Sequence, residues 1–147
     1  MGDDQASGLN ASDDGVRVSR AFDGASGSIA AARHFATEFV IQLQDAHGVA
    51  VARDVVGSVQ LVVSELITNA CKYAPGPTLL DMKLTGQALE ISVTDSSPVQ
   101  ATVRPARPGR VGQHGLEIVM ALCDGFEVQR RPFGKRIRVR LPLPSVA

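Results

Sequence analysis

Residues 64–76 decide the fold of this chain and read SELITNACKYAPG. Apolar residues recur here at helical spacing, so the segment is predicted to be the end of a long amphipathic helix that Pro75 terminates. Glu65 and Asn69 are four residues apart and therefore share one face of that helix. A carboxylate here could act as a general base, and a carboxamide oxygen suits Mg²⁺ held jointly with substrate phosphates. An ordinary solvated helix face has the same spacing, so the pair alone leaves both interpretations open.

Two later motifs add to this pair. Asp95-Ser96-Ser97-Pro98 follows a predicted strand, and Gly112-Gln113-His114-Gly115-Leu116 opens a predicted helix. A glycine turn at the start of a helix directs backbone N–H groups and the positive end of the helix dipole at an anion. Taken singly, Asp95 also fits a strand-end turn, and a Gly-x-x-Gly pair is a weak signal.

Taken in this order, the carboxamide helix, the strand-end aspartate and the glycine turn resemble the N box and the two glycine boxes of the GHKL ATPases. That family covers gyrase, Hsp90, histidine kinases and MutL. Within it, residues 16–143 most resemble the anti-sigma factor serine/threonine kinases, in their actinobacterial form. The resemblance implies an α+β, two-layer sandwich (the Bergerat ATP-binding fold), in which one mixed, mostly antiparallel sheet carries helices on one face.

The same resemblance implies a site for ATP and Mg²⁺. Glu65 would orient or deprotonate the attacking nucleophile, Asn69 would coordinate the Mg²⁺ that bridges the phosphates, and Asp95 would accept a hydrogen bond from the adenine amino group. The other positions implied in nucleotide binding are Lys72, Ser97, Gly112, His114, Gly115, Leu116 and Lys135. Lys72 also fits a solvated last helical turn, and Gly134-Lys135 also fits an ordinary hairpin turn.

The first glycine box departs from the family pattern Asp-x-Gly-x-Gly, because Ser97 and Val99 stand where the two glycines would be. Two functions therefore compete. One is an ATP-dependent serine/threonine kinase that inhibits a sigma factor, phosphorylates an anti-anti-sigma (STAS) protein and forms a homodimer. The other is a non-catalytic regulator that acts through protein contacts. Glu65 and Asn69 favour the kinase, whereas Ser97 and Val99 favour the regulator.

Composition limits the alternatives. The chain has 147 residues with 44% hydrophobic residues, which fits one globular domain. A net charge of zero and 4% aromatic residues argue against nucleic acid as a partner. No apolar run approaches membrane-spanning length and no signal peptide is recognisable, so a cytoplasmic location away from the membrane is expected. Cys71 and Cys123 are too few for a disulfide scaffold.

Periodicity divides the chain into a polar tail (1–14), expected to be disordered, and one domain (15–144). The predicted order is β-α-α-β-β-(lid)-α-β-β. Ser28 is the expected N-cap of the first helix, and 97–112, which contains Arg104, Arg107 and Arg110, is the expected lid. The predicted helices are 29–46, 50–73 and 114–124, and the predicted strands are 16–22, 79–85, 88–94, 126–131 and 136–143.

Overall fold

The chain folds into two layers, a sheet built from segments with alternating hydrophobic residues and a layer of helices built from segments with helical hydrophobic spacing. A computed structural model describes residues 10–12, 15–25, 27–74, 76–96 and 111–144. The helices are α1 (Gly27–His47), α2 (Arg53–Tyr73) and α3 (Val111–Leu122). The strands are β1 (Asn10–Ser12), β2 (Gly15–Phe22), β3 (Thr78–Thr85), β4 (Ala88–Asp95), β5 (Gly125–Arg130) and β6 (Lys135–Pro142).

The strands form one sheet in the order β1-β2-β3-β4-β6-β5. The predicted hairpin between β3 and β4 turns at Gly86-Gln87, where Gly86 has a φ of +60° that favours glycine. Every neighbouring pair of described strands is antiparallel. The predicted α+β sandwich is therefore confirmed, with a sheet that is antiparallel throughout the described strands rather than mixed.

The core lies between one face of the sheet and the helices. Alternate residues of β6 point to this face, because Ile137, Val139 and Leu141 are buried whereas Arg140 and Pro142 are exposed. α1 and α2 pack against each other over it. The largest fully buried side chains come from both layers and include Phe39, Leu43, Leu66, Ile67, Leu80, Met82, Leu89 and Ile91.

The two long helices end where glycine and proline predict. α1 stops at His47, and Gly48 follows with a φ of +65°. The Val49 N–H then donates to the Leu43 carbonyl at 2.9 Å, which satisfies an otherwise orphaned helix C-terminal acceptor. α2 stops at Tyr73, directly before the Ala74-Pro75 step.

The start of α1 differs from the prediction, because Ser28 lies inside the helix and is not its N-cap. Its hydroxyl donates to Asp23 Oδ1 at 2.9 Å, and it accepts from the Gly24 N–H at 3.2 Å. Asp23 Oδ1 also accepts from the Ala25 N–H at 2.9 Å. The Ala25 N–H, followed by the Ser28 hydroxyl, lowers the pKa of the Asp23 carboxyl. The polar group that organises this turn is therefore Asp23.

Two further elements have boundaries that the hydrophobic pattern did not predict. Residues 10–12, expected to be part of the polar tail, form β1 and pair with β2 through backbone hydrogen bonds that need no apolar alternation. α3 begins at Val111 rather than at His114, so Gly112 lies within the helix instead of in the turn before it, and Gly115 lies within the helix as predicted. The predicted lid, apart from residues 111–112, lies outside the described residues. No helix in the described part of the chain is long and apolar enough to cross a membrane.

Candidate functional site

The long helix α2 carries Glu65 and Asn69, the polar pair predicted to share one face of this helix. Both side chains are half-buried, whereas the neighbouring Leu66 and Ile67 are fully buried in the core. Residues four apart lie about one turn from each other, so the carboxylate and the carboxamide occupy the same side of α2. α2 also packs against α3. The helix therefore anchors the pair on a rigid element beside the second helix of the predicted site.

Glu65 reaches α3 at Gly115. A methyl group built on Gly115 would lie 2.0 Å from Glu65 Oε1 and 3.0 Å from Cδ. The 2.0 Å distance is shorter than real Cβ atoms essentially ever show, so the carboxylate occupies space that a larger residue would fill. Gly115 is itself buried. The structure thus brings the proposed general base and the second glycine motif together, and a side chain at position 115 would displace the carboxylate.

Asp95 forms a second cluster, at the end of β4. Asp95 lies two residues after Val93 on this strand, so both side chains are on the helix-facing side of the sheet. Asp95 is 4% exposed to solvent. The Lys135 N–H donates to Asp95 Oδ1 at 3.1 Å, and the Lys135 ammonium donates to Oδ2 at 3.0 Å. The two oxygens of the predicted adenine acceptor are thus both engaged by one residue.

Gly134 holds the β5–β6 turn against this carboxylate. Its φ is +100°, and a methyl group there would lie 2.2 Å from the Asp95 carbonyl oxygen and 2.5 Å from Oδ1. Only glycine combines this backbone conformation with such an approach. The Gly134-Lys135 pair is therefore more than an ordinary hairpin turn, because it covers and neutralises Asp95.

The remaining predicted positions lie on α2, on α3 or outside the described residues. Lys72 is exposed on the last turn of α2, and Leu116 is partly buried against the core. Gly112 and His114 belong to the first turns of α3, and nothing is described of the His114 side chain. Ser97 lies outside the described residues. Among the described residues, the structure therefore brings Glu65 into contact with Gly115, and Asp95 into contact with Lys135.

The donor set of the site suits a cation that is shared with a substrate. Within the described residues, no group of three or more histidine, cysteine, aspartate and glutamate side chains could hold a metal ion. Mg²⁺ commonly takes only one or two protein ligands and completes its shell with water and phosphate oxygens. The half-buried Asn69 carboxamide, one turn from Glu65, fits this mode of binding and does not provide a complete cage by itself.

Neither cysteine is chemically activated. Burial raises the pKa of the Cys71 thiol, and the Asp23 carboxylate raises it further. Burial, followed by the Asp124 carboxylate, raises the pKa of the Cys123 thiol to about 11. Both are therefore protonated at neutral pH, and a thiol is a poor nucleophile compared with its thiolate.

Sequence analysis did not predict that Lys135 pairs with Asp95. The two residues face each other across β4 and β6, as continuation of the Thr94–Arg136 register requires. The only local signal was the Gly134-Lys135 dipeptide before an alternating strand. Which earlier carboxylate that strand would meet depends on the strand order, which one sequence does not determine.

Comparisons with known proteins place the chain in a family. The model of the histidine kinase-like ATPase domain matches residues 23–141. The chain belongs to this family, and the resemblance inferred from Asn69, Asp95 and Gly115 is confirmed at that level. A comparison with curated proteins finds no significant match to this sequence.

Solved structures share the fold. One contains the RsbU and RsbW domains of Rv1364c from Mycobacterium tuberculosis, and it superposes with a TM-score of 0.65 at 14% identity over 89% of this chain and 33% of that one. The chain thus spans about a third of the length of that structure. The histidine kinase domain of a blue-light activated histidine kinase from Erythrobacter litoralis gives a TM-score of 0.50 at 17% identity over 95% of this chain and 67% of that one. At these identities the likeness concerns the fold.

Proposed function

We propose that this domain binds ATP with Mg²⁺ and is a serine/threonine protein kinase that regulates transcription. The observation that carries the proposal is the contact between the Glu65 carboxylate and Gly115. It sets an acidic side chain beside the first turns of α3, whose free N–H groups and dipole favour a phosphate. A candidate base and a candidate phosphate cradle are therefore adjacent.

Phosphoryl transfer needs little from the protein beyond positioning and charge stabilisation. In the proposed reaction the hydroxyl oxygen of a substrate serine or threonine forms a bond to the γ-phosphorus. The bond from that phosphorus to the β–γ bridging oxygen breaks, and ADP leaves. Glu65 accepts the hydroxyl proton. Its attachment to the rigid α2 helix and its contact with α3 fix the carboxylate for this role.

Asn69 and Asp95 serve binding in this proposal. Asn69 offers an oxygen to Mg²⁺, which neutralises phosphate charge when bound. Asp95, on the helix-facing side of β4, is the acceptor for the adenine amino group. Lys72 on the exposed end of α2 is a further contact to phosphate.

The proposed target is a protein in trans. The sequence resemblance of residues 16–143 to the anti-sigma branch supports a homodimer that holds a sigma factor and releases it when a STAS protein competes. The basic segment with Arg104, Arg107 and Arg110 would steer a partner that presents an acidic surface.

Calorimetry followed by a transfer assay tests the proposal. ATP and ADP should bind in the presence of Mg²⁺, and GTP should bind more weakly. Labelled γ-phosphate should then move to a purified STAS-domain protein encoded by the same genome, on serine or threonine. No heat with either adenine nucleotide, or equal binding of GTP, overturns the nucleotide assignment.

A second candidate is a regulator that binds nucleotide without turning it over. The engagement of Asp95 by Lys135 favours it, because the base acceptor already has a cationic partner. ATP binding without any phosphate transfer, together with stoichiometric capture of a sigma factor, would identify this function.

A further inference from the structure

The ion pair between Asp95 and Lys135 is unusually enclosed for a surface hairpin. The side chains of Lys135 and Asp95 are 12% and 4% exposed, and Nζ lies 3.0 Å from Oδ2. The backbone N–H of the same lysine donates to the other carboxylate oxygen at 3.1 Å. One residue therefore supplies both a neutral and a charged donor to a carboxylate that is almost removed from water.

The surrounding backbone keeps this pair in place. Asp95 and Lys135 stand opposite each other at the ends of β4 and β6, and Gly134 presses the turn against the Asp95 carbonyl. In such a poorly solvated position an ammonium and a carboxylate attract each other more strongly than on an exposed surface. The ammonium is thus a built-in partner of Asp95.

We infer that the Lys135 ammonium occupies the position on Asp95 that the amino group of the nucleobase would take. When the base binds, its amino group replaces this ammonium as the donor to Asp95. This inference rests on the proposed nucleotide binding. It identifies Lys135 as the residue that sets how strongly the domain selects for the amino group of the base.

The physical reason is the cost of an unpaired carboxylate. A site built around a hydrogen bond rejects an analogue without the donor because its own buried group is left without a partner. Here Asp95 keeps Lys135 when such an analogue binds, so little is lost. An amino group that does reach Asp95 replaces a charged donor with a neutral and weaker one.

The test compares ATP with purine riboside triphosphate, which lacks the 6-amino group, in the unaltered protein and in Lys135→Met. In the unaltered protein the dissociation constants of the two nucleotides should differ by no more than about tenfold. In Lys135→Met the ratio of these constants should shift in favour of ATP by at least about tenfold. Arg131→Met is the matched control, since Arg131 is an exposed cation of the same hairpin. It should leave the preference unchanged, which separates base recognition from a general loss of positive charge.

A measurement on the unaltered protein covers the case in which Lys135→Met does not fold. The chain has three lysines, Lys72, Lys83 and Lys135, so the ammonium NMR spectrum is simple. Saturating ATP with Mg²⁺ should shift or remove the Lys135 ammonium signal, and saturating purine riboside triphosphate should leave it in place.

Three outcomes overturn the inference while nucleotide binding stands. They are a preference of about a hundredfold or more for ATP in the unaltered protein, an unchanged preference in a folded Lys135→Met, and a Lys135 signal that responds equally to both nucleotides. If Lys135→Met binds ATP and the unaltered protein does not, the result supports the inference. If no nucleotide binds to any of the folded proteins, the proposed function fails, and the inference fails with it.

Discussion

The Glu65 carboxylate rests on the Cα atom of Gly115, so closely that a methyl group there would come within 2.0 Å of Oε1. This contact links α2 to α3 through a polar group. It makes the position of the carboxylate depend on the absence of a side chain from another helix. A change at Gly115 therefore acts on Glu65 without altering its chemistry.

Gly115→Ala should displace the Glu65 carboxylate and leave the fold intact, because the clash falls on the far end of a flexible side chain. If Glu65 is the base, phosphate transfer should fall by about 10²–10⁴. The transfer assay and a thermal melt measure the two effects. An unchanged rate in a folded Gly115→Ala protein would show that the contact has no catalytic role.

Glu65→Gln keeps the shape of the side chain and removes its basicity. ATP affinity should stay within about threefold, while phosphate transfer falls by about 10²–10⁴, the usual contribution of a positioned base. Calorimetry and the transfer assay separate binding from chemistry. Equal transfer rates for the variant and the unaltered protein would rule out Glu65 as the base.

Asn69→Ala removes the carboxamide and should abolish the Mg²⁺-dependent part of ATP binding. The measurement is calorimetry with ATP in Mg²⁺ and in EDTA. The unaltered protein should bind more tightly in Mg²⁺, and the variant should bind equally in both. Gln42→Ala, at an exposed carboxamide on α1, is the control and should behave like the unaltered protein. A variant that retains the full effect of Mg²⁺ would contradict the metal assignment.

Gly134→Ala should destabilise the domain. A residue with a side chain is strained at a φ of +100°, and the new methyl group would meet the Asp95 backbone. The strained backbone alone costs about 1–3 kcal/mol. Gly57→Ala is the comparison, because Gly57 lies exposed within α2 with no atom within 4 Å of an added methyl group. It should stabilise the domain by about 0.5–1 kcal/mol. Urea unfolding measures both, and equal effects would contradict the proposed crowding at Gly134.

Cys123 should react slowly with iodoacetamide. A pKa of about 11 against the ordinary 9.0 leaves about a hundredfold less thiolate at pH 8. Because the pKa is raised in the folded state, the neutral thiol stabilises the fold below pH 9, and this contribution is lost as the pH rises towards about 11. Alkylation rates across this range, read by mass spectrometry with urea-unfolded protein as reference, should rise steeply above pH 9. Fast alkylation of folded protein at pH 8 would contradict the raised pKa.

Hydrophobic spacing, together with glycine and proline positions, correctly predicted several helices, strands and helix ends. The alternation of β3 and β4, the Gly48 stop and the end of α2 before Pro75 are all found. The spacing of hydrophobic residues did not predict the elements whose structure is decided by backbone pairing or by a side-chain network. β1 has no apolar alternation, and the turn before α1 is organised by Asp23 rather than by Ser28 as a cap.

The candidate site was predicted as a set of residues but not as a set of contacts. Asp95 and Lys135 each stood out in the sequence, yet only the pairing of β4 with β6 places them face to face. The same holds for Glu65 and Gly115, which meet because α2 packs on α3. Such contacts join residues far apart in the sequence, where spacing carries no information. Ser97 lies outside the described residues, so its proposed role remains a prediction.

The position of β6 between β4 and β5 has a consequence for the order in which the domain can be made. Glu65 and Gly115 both precede β6 in the chain, so the residues of the α2–α3 contact are synthesised before Lys135. The partner of Asp95 arrives only with Lys135, so a nascent chain holds this carboxylate without its counter-ion and leaves one side of β4 unpaired. The sheet closes only after β6 has inserted beside β4, so Asp95 acquires its ion-pair partner only with this strand.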